Sequence, residues 1–136
     1  MVGKLRVFVI DPSPIIRNLL AEFLKAAGLC NTVSSVGDGA AAARAALRKQ
    51  VDLVVMDMSI PSVCAISSTR AIKSLPDAPK VILLCQHEGL GHKKRAFAAG
   101  ADGYVYKLDC VDELAPLVRK LFSGRAPQKR RVRKRG

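Results

Sequence analysis

From the fifth residue onward, short apolar runs alternate with stretches whose apolar residues recur at helical spacing. Residues 5–10, LRVFVI, form a near-continuous apolar run that stops at Asp11-Pro12, as a strand buried on both faces does. Ser13-Pro14 then supplies an N-cap and a proline at the first helical position. Ile15, Ile16, Leu19, Leu20, Phe23 and Leu24 follow on one helical face until Gly28. A short strand over residues 32–36 leads through Gly37-Asp38-Gly39 to AAAARAALRKQ, whose alanines predict a closely packed second helix.

The same alternation continues to the end. VDLVVM, residues 51–56, is a third strand closed by Asp57, and a helix is predicted over 63–75, broken by Pro76 and Pro79. A fourth strand follows at 81–84, a short helix at 92–99 stopped by Gly100, a fifth strand at 103–106, and a last helix at 111–122. Pro116 falls inside that last helix, where a proline costs about 3 kcal/mol, so a late or bent start near Ala115 is expected. Five strands alternating with five helices predict a doubly wound α/β domain, a five-stranded parallel sheet covered on both faces.

Composition agrees with one packed domain. Of 136 residues 49% are apolar, enough to build a core at this size. No apolar run reaches the ~18 residues that cross a bilayer, and the N-terminal run is too short for a signal peptide, so a cytoplasmic protein without membrane contact is expected. Cys30, Cys64, Cys85 and Cys110 stand 34, 21 and 25 positions apart, without the paired spacing of a zinc site. Reduced thiols are expected.

Charge is distributed unevenly. The formal net charge is +12, but seven of the 23 Lys and Arg residues lie in residues 125–136, which contain no acid. The chain therefore divides into a domain over 1–124 and a basic flexible tail or linker over 125–136. That tail could contact nucleic acid phosphates. It has no interleaved aromatic residue for base stacking, so such contact would be independent of sequence.

In a doubly wound sheet the site lies beyond the carboxyl ends of the strands. Asp11, Asp57, Cys85 and Lys107 each stand at or just past a strand end and are expected to converge there. Two carboxylates and an ammonium suit a divalent cation together with a phosphoryl group. Any one of these residues alone reads as an ordinary solvated loop residue; their joint placement is the signal. No phosphate-binding glycine loop, dinucleotide turn or nucleophile–histidine pairing points to an independent enzyme.

At VFVIDPSPIIRNLL, DLVVMDMSIPSV, VILLC and AAGADGYVYK the chain resembles the receiver domain of bacterial two-component response regulators, over roughly residues 4–124. The resemblance implies a flavodoxin-like (CheY-like) fold and a signalling role in a phosphorelay rather than an enzymatic one. It implies that Asp57 accepts a phosphoryl group from a histidine kinase, that Lys107 contacts that group, and that Pro61 shapes the following loop. Asp11, Asp57 and the backbone carbonyl of Ser59 would hold Mg²⁺. Cys85 stands where the family has a Thr or Ser switch residue, and Tyr104 matches the aromatic residue that turns inward with it. The segment GADGY, residues 100–104, places the chain nearest receivers that precede a LuxR-type output.

Several residues depart from the family pattern. Pro12 takes the place of an acidic metal ligand, or, in the other register, Ile10 does; one carboxylate is missing either way, which implies a weakened Mg²⁺ site. The thiol of Cys85 is a poorer donor than a hydroxyl, and losing most of a hydrogen bond to a charged group would weaken coupling by about 10- to 150-fold. Ala65 replaces a glycine, and Leu108 a common proline. The partners implied are a histidine kinase, a second copy of the chain through the helix at 92–99, the fifth strand and the last helix, and an output domain or nucleic acid through 125–136. The alternative is a pseudo-receiver, an interaction module of the same fold that works without phosphorylation.

Overall fold

The computed structural model of the chain describes residues 4–37, 51–59, 65–86 and 90–123. Within them the order is β1 (Leu5–Ile10), α1 (Pro14–Ala26), β2 (Cys30–Val36), β3 (Leu53–Asp57), α2 (Ala65–Lys73), β4 (Lys80–Cys85), α3 (Leu90–Ala98), β5 (Gly103–Tyr106) and α4 (Cys110–Phe122). The strands form one parallel sheet in the order β2-β1-β3-β4-β5. The helix expected over 40–50 lies outside the described residues, as do Pro61, Cys64 and the tail.

The central strands are buried on both faces, and their alternate residues divide between two cores. Val7, Val9, Leu53, Val55, Ile82 and Leu84 pack with Leu20 and Leu24 of α1 and with Leu114, Val118 and Phe122 of α4. Phe8, Ile10, Val54, Met56, Val81 and Leu83 face the other way, against Ala65 and Ile72 of α2 and Ala96 of α3. This two-sided burial is why these runs read as continuous apolar stretches instead of alternating ones. Each fully buried Leu or Ile contributes about 2 kcal/mol relative to exposure.

Local signals set the ends of the helices. The Ser13 hydroxyl accepts the Ile16 N–H (3.3 Å) at the start of α1, with Pro14 at the first position. At its end, Leu29 N–H bonds Leu24 O and Gly28 N–H bonds Lys25 O, a Schellman closure that needs Gly28 at φ +74°. Gly100, at φ +105°, closes α3 in the same way, with Ala101 N–H on Ala96 O.

Pro116 does not delay α4. The helix begins at Cys110, preceded by one 3₁₀ turn over Lys107–Asp109, and runs through the proline. The carbonyl left without its N–H partner is that of Asp112, and Asp112 and Pro116 are both exposed, so water can satisfy it. Burial of Leu114, Ala115, Val118 and Phe122 outweighs the local cost. β2 likewise begins at Cys30, two residues before the expected start at 32, drawn in by pairing with Leu5 on β1.

Candidate functional site

Strand order reverses between β1 and β3, since the chain leaves β1 towards β2 on one side and returns to β3 on the other. Crossovers departing in opposite directions leave a crevice at the carboxyl ends of this pair. Ile10 is in register with Met56, so the next residues, Asp11 and Asp57, stand side by side at the mouth. Cys85 follows Leu84, the partner of Asp57, and pairs with Tyr106; Lys107 comes next on the chain.

The geometry brings Asp11, Asp57 and Lys107 into direct contact. Lys107 Nζ lies 2.8 Å from Asp11 Oδ2 and 3.0 Å from Asp57 Oδ1. Asp11 is 1% and Asp57 0% exposed, so the ammonium bridges two carboxylates withdrawn from water. Burial alone would lower the Lys107 pKa, but hydrogen bonds to Asp11 and Asp57, and their charge, raise it above the ordinary lysine value. These two carboxylates and one ammonium together carry a formal charge of −1, with the Arg17 guanidinium beside them.

The remaining carboxylate oxygens are held by backbone and hydroxyl donors. Asp11 Oδ1 accepts the Ser13 N–H (2.9 Å), and Asp57 Oδ2 accepts both the Ser59 N–H (3.1 Å) and the Ser59 hydroxyl. Arg17 Nη1 donates to the Asp11 carbonyl oxygen (2.7 Å), fixing the loop that carries the carboxylate. The Ser59 hydroxyl and Arg17 guanidinium are parts of the site whose contacts no sequence pattern showed. A Ser two residues past a strand-end Asp is a recurrent turn pattern that could have flagged the hydroxyl.

The donor set fits a hard cation. Asp11 Oδ2 and Asp57 Oδ1 are buried and make no hydrogen bond beyond their ion pair with Lys107. Both therefore present lone pairs to the same small space, and oxygen-only ligands of this kind suit Mg²⁺. Pro12, exposed beside them, offers no third carboxylate.

Cys85 is the last residue of β4, one position past the level of Asp57, whereas Tyr104 lies deeper, opposite Leu83. Cys85 is 4% exposed, and its Sγ is 3.9 Å from Nδ1 of His92 on α3, a neighbour seven positions away that no local pattern revealed. Tyr104 is half-buried against the core beneath α2 and α3, with its hydroxyl oxygen enclosed. Cys30, Cys85 and Cys110 are buried free thiols, and burial raises the pKa of Cys30 and Cys110.

A doubly wound sheet with an acidic pair and a lysine over its switch point defines a class of signalling domain. The chain belongs to the response regulator receiver domain family, whose model matches residues 7–119. It is 27% identical to the probable transcriptional regulatory protein TcrX of Mycobacterium tuberculosis, over 85% of this chain and 49% of TcrX. Among solved structures, the receiver domain of the putative response regulator NarL from M. tuberculosis is 27% identical with a TM-score of 0.81, covering 90% of this chain and 99% of that one. A LuxR-family response regulator from Aurantimonas sp. SI85-9A1 is 28% identical with a TM-score of 0.80, covering 91% and 89%. The chain spans about half the length of TcrX. Among the described residues no helix is long and apolar enough to cross a membrane.

Proposed function

We propose that this receiver accepts a phosphoryl group on Asp57 from a histidine kinase and passes that state to a protein-interaction surface. The observation that carries the reading is the Asp57 carboxylate, fully buried, with Lys107 at 3.0 Å and Asp11 bridged to it through the same ammonium. A surface module that never handled phosphate would have no need to hold two carboxylates and a lysine out of water, since desolvating such a cluster costs several kcal/mol per ion.

In the transfer, a carboxylate oxygen of Asp57 attacks phosphorus, the bond to the kinase imidazole breaks, and an acyl phosphate forms. Lys107 moves its ammonium onto the incoming phosphoryl oxygens, keeping charge compensated as the carboxylate is consumed. The Ser59 hydroxyl must release Asp57 Oδ2 if that oxygen is the nucleophile. Asp11, Asp57 and the Ser59 carbonyl would hold Mg²⁺, which supplies charge neutralisation between carboxylate and phosphoryl oxygens. With Pro12 in place of an acid, the site needs more Mg²⁺ than a receiver with three carboxylates.

Two exposed apolar side chains lie close in sequence to the site residues: Ile15 (77% exposed), in the first turn of α1 four residues after Asp11, and Leu108 (80%), directly after Lys107. These give a kinase helix a place to rest while its phosphohistidine reaches inward. The interaction surface formed by α3, β5 and α4 supports a switchable dimer or target contact, and residues 1–124 act as the receiver of a cytoplasmic protein. Residues 125–136 act as a basic linker or electrostatic anchor.

Acetyl phosphate with graded Mg²⁺, followed by intact mass, tests the reading. One phosphoryl adduct is expected, dependent on Mg²⁺ and absent from Asp57→Ala. No adduct at any Mg²⁺ level, or an adduct surviving in Asp57→Ala, refutes it and leaves a phosphorylation-independent interaction module.

A further inference from the structure

At the end of the sheet away from the carboxylates, Asp102 joins three elements. It stands between Gly100, which closes α3, and Gly103, the first residue of β5. Its backbone N–H donates to Val81 O (2.8 Å), and its side-chain Oδ2 accepts the Val81 N–H (2.9 Å). One residue thus holds both backbone groups of Val81, near the start of β4. The same Oδ2 accepts from Nζ of Lys73 (2.8 Å), the last residue of α2, and that ammonium also donates to Pro79 O (2.9 Å). Lys80 Nζ stands 4.0 Å from the other carboxylate oxygen. The Lys73 stem lies against Gly100, where a Cβ would meet its Cγ at 3.2 Å.

β5 has little of its own with which to choose a register. It is the shortest of the five strands and lies at the sheet edge, paired with β4 on one side. Gly103 offers no side chain, Tyr104 and Tyr106 are half-buried, and the side chain of Val105 is buried. Register is weakly specified where few side chains of a strand must face a core. A slip of one residue would carry the following chain ~3.3 Å along the sheet and turn its side chains over. Lys107 meets Asp11 and Asp57 at 2.8 and 3.0 Å with Ile82 opposite Gly103 and Cys85 opposite Tyr106. Such a slip would take its ammonium off both carboxylates.

We propose that Asp102 is a positioning residue for Lys107: by gripping Val81 through backbone and carboxylate together, it fixes β5 against β4 so that the ammonium arrives at Asp11 and Asp57. Its use in phosphoryl transfer rests on Asp57 being the acceptor, whereas its placement of Lys107 does not. A carboxylate on a backbone N–H makes a charge-assisted hydrogen bond, stronger than the neutral bonds of the ladder itself. Lys73 steadies that carboxylate, because it is anchored in turn on the Pro79 carbonyl.

A double-mutant cycle between positions 102 and 107 tests the placement, with sucrose present throughout so that the double variant starts folded. Five residues of strand span ~16 Å, and substitutions that far apart are additive unless one site governs the other. In urea unfolding, Lys107→Met is expected to shift the folding equilibrium about tenfold less, or smaller still, in Asp102→Ala than in the wild-type chain. In acetyl phosphate labelling, Asp102→Ala should slow adduct formation roughly five- to tenfold, and adding Lys107→Met should slow it little further. Asp102→Asn, whose amide oxygen can still accept the Val81 N–H, should restore wild-type behaviour in both measurements. An undiminished effect of Lys107→Met in Asp102→Ala, or an Asp102→Asn that behaves as Asp102→Ala does, overturns the proposal. A wild-type chain that takes up no phosphoryl group overturns the acceptor role of Asp57, and the urea cycle then decides the placement of Lys107 by itself.

Discussion

Lys107 is the residue on which the pocket's charge balance turns. Its side chain is 13% exposed, and its ammonium faces both Asp11 Oδ2 and Asp57 Oδ1. Lys107→Met would leave two buried carboxylates without their counter-charge, so a loss of about 3–5 kcal/mol is expected in denaturant melts. Added Mg²⁺ should recover part of that loss, because it would meet the same two oxygens. The pKa of Lys107 is raised in the folded state, so its contribution is complete below the ordinary lysine value of 10.5 and is lost as pH climbs through the raised value. Thermal melts from neutral pH to beyond 10.5 should therefore show an alkaline loss in the wild type that Lys107→Met lacks.

At the scale of elements, the loop after β1 is braced from β2. A Cβ at Gly37 would come within 2.6 Å of Arg17 Nη1, the same atom that donates to the Asp11 carbonyl. Gly37→Ala must push the guanidinium tip aside, and about 1–2 kcal/mol should be lost with that bond. Arg17→Ala should cost a similar amount. The double variant should cost little more than either alone, a coupling of about 1 kcal/mol in a double-mutant cycle read by urea unfolding. This bracing was not legible in the chain, because it joins residues from two elements, whereas the elements themselves were. Ser13-Pro14 and Gly28 marked both ends of α1, and the run to Ile10 marked β1. Pro116 misled, since local helix cost says nothing about how much apolar area Leu114, Val118 and Phe122 bury beneath it.

At the scale of the whole molecule, excess positive charge belongs more to the C-terminal twelve residues than to the domain. If residues 125–136 touch nucleic acid, affinity should be indifferent to sequence and fall steeply with salt. Deleting them should reduce the slope of log affinity against log salt by up to about 6, since seven cations can each release a counterion. Equal affinity and slope with and without the tail would leave it a linker alone. Fluorescence anisotropy on two unrelated duplexes over a salt series makes the measurement.

Among the described residues, the chain by itself determined the order of strands and helices, the parallel sheet and the four strand-end residues Asp11, Asp57, Cys85 and Lys107. Those are properties of periodicity and of where apolar runs stop, and both are written locally. Tertiary structure decided what touches what: that Lys107 bridges both carboxylates, that the Ser59 hydroxyl and Arg17 hold them in place, and that Cys85 faces His92. Such contacts depend on register between strands and on the approach of a helix to a strand end. A distance of a few ångströms between residues 57 and 107 has no counterpart in the order of the residues between them.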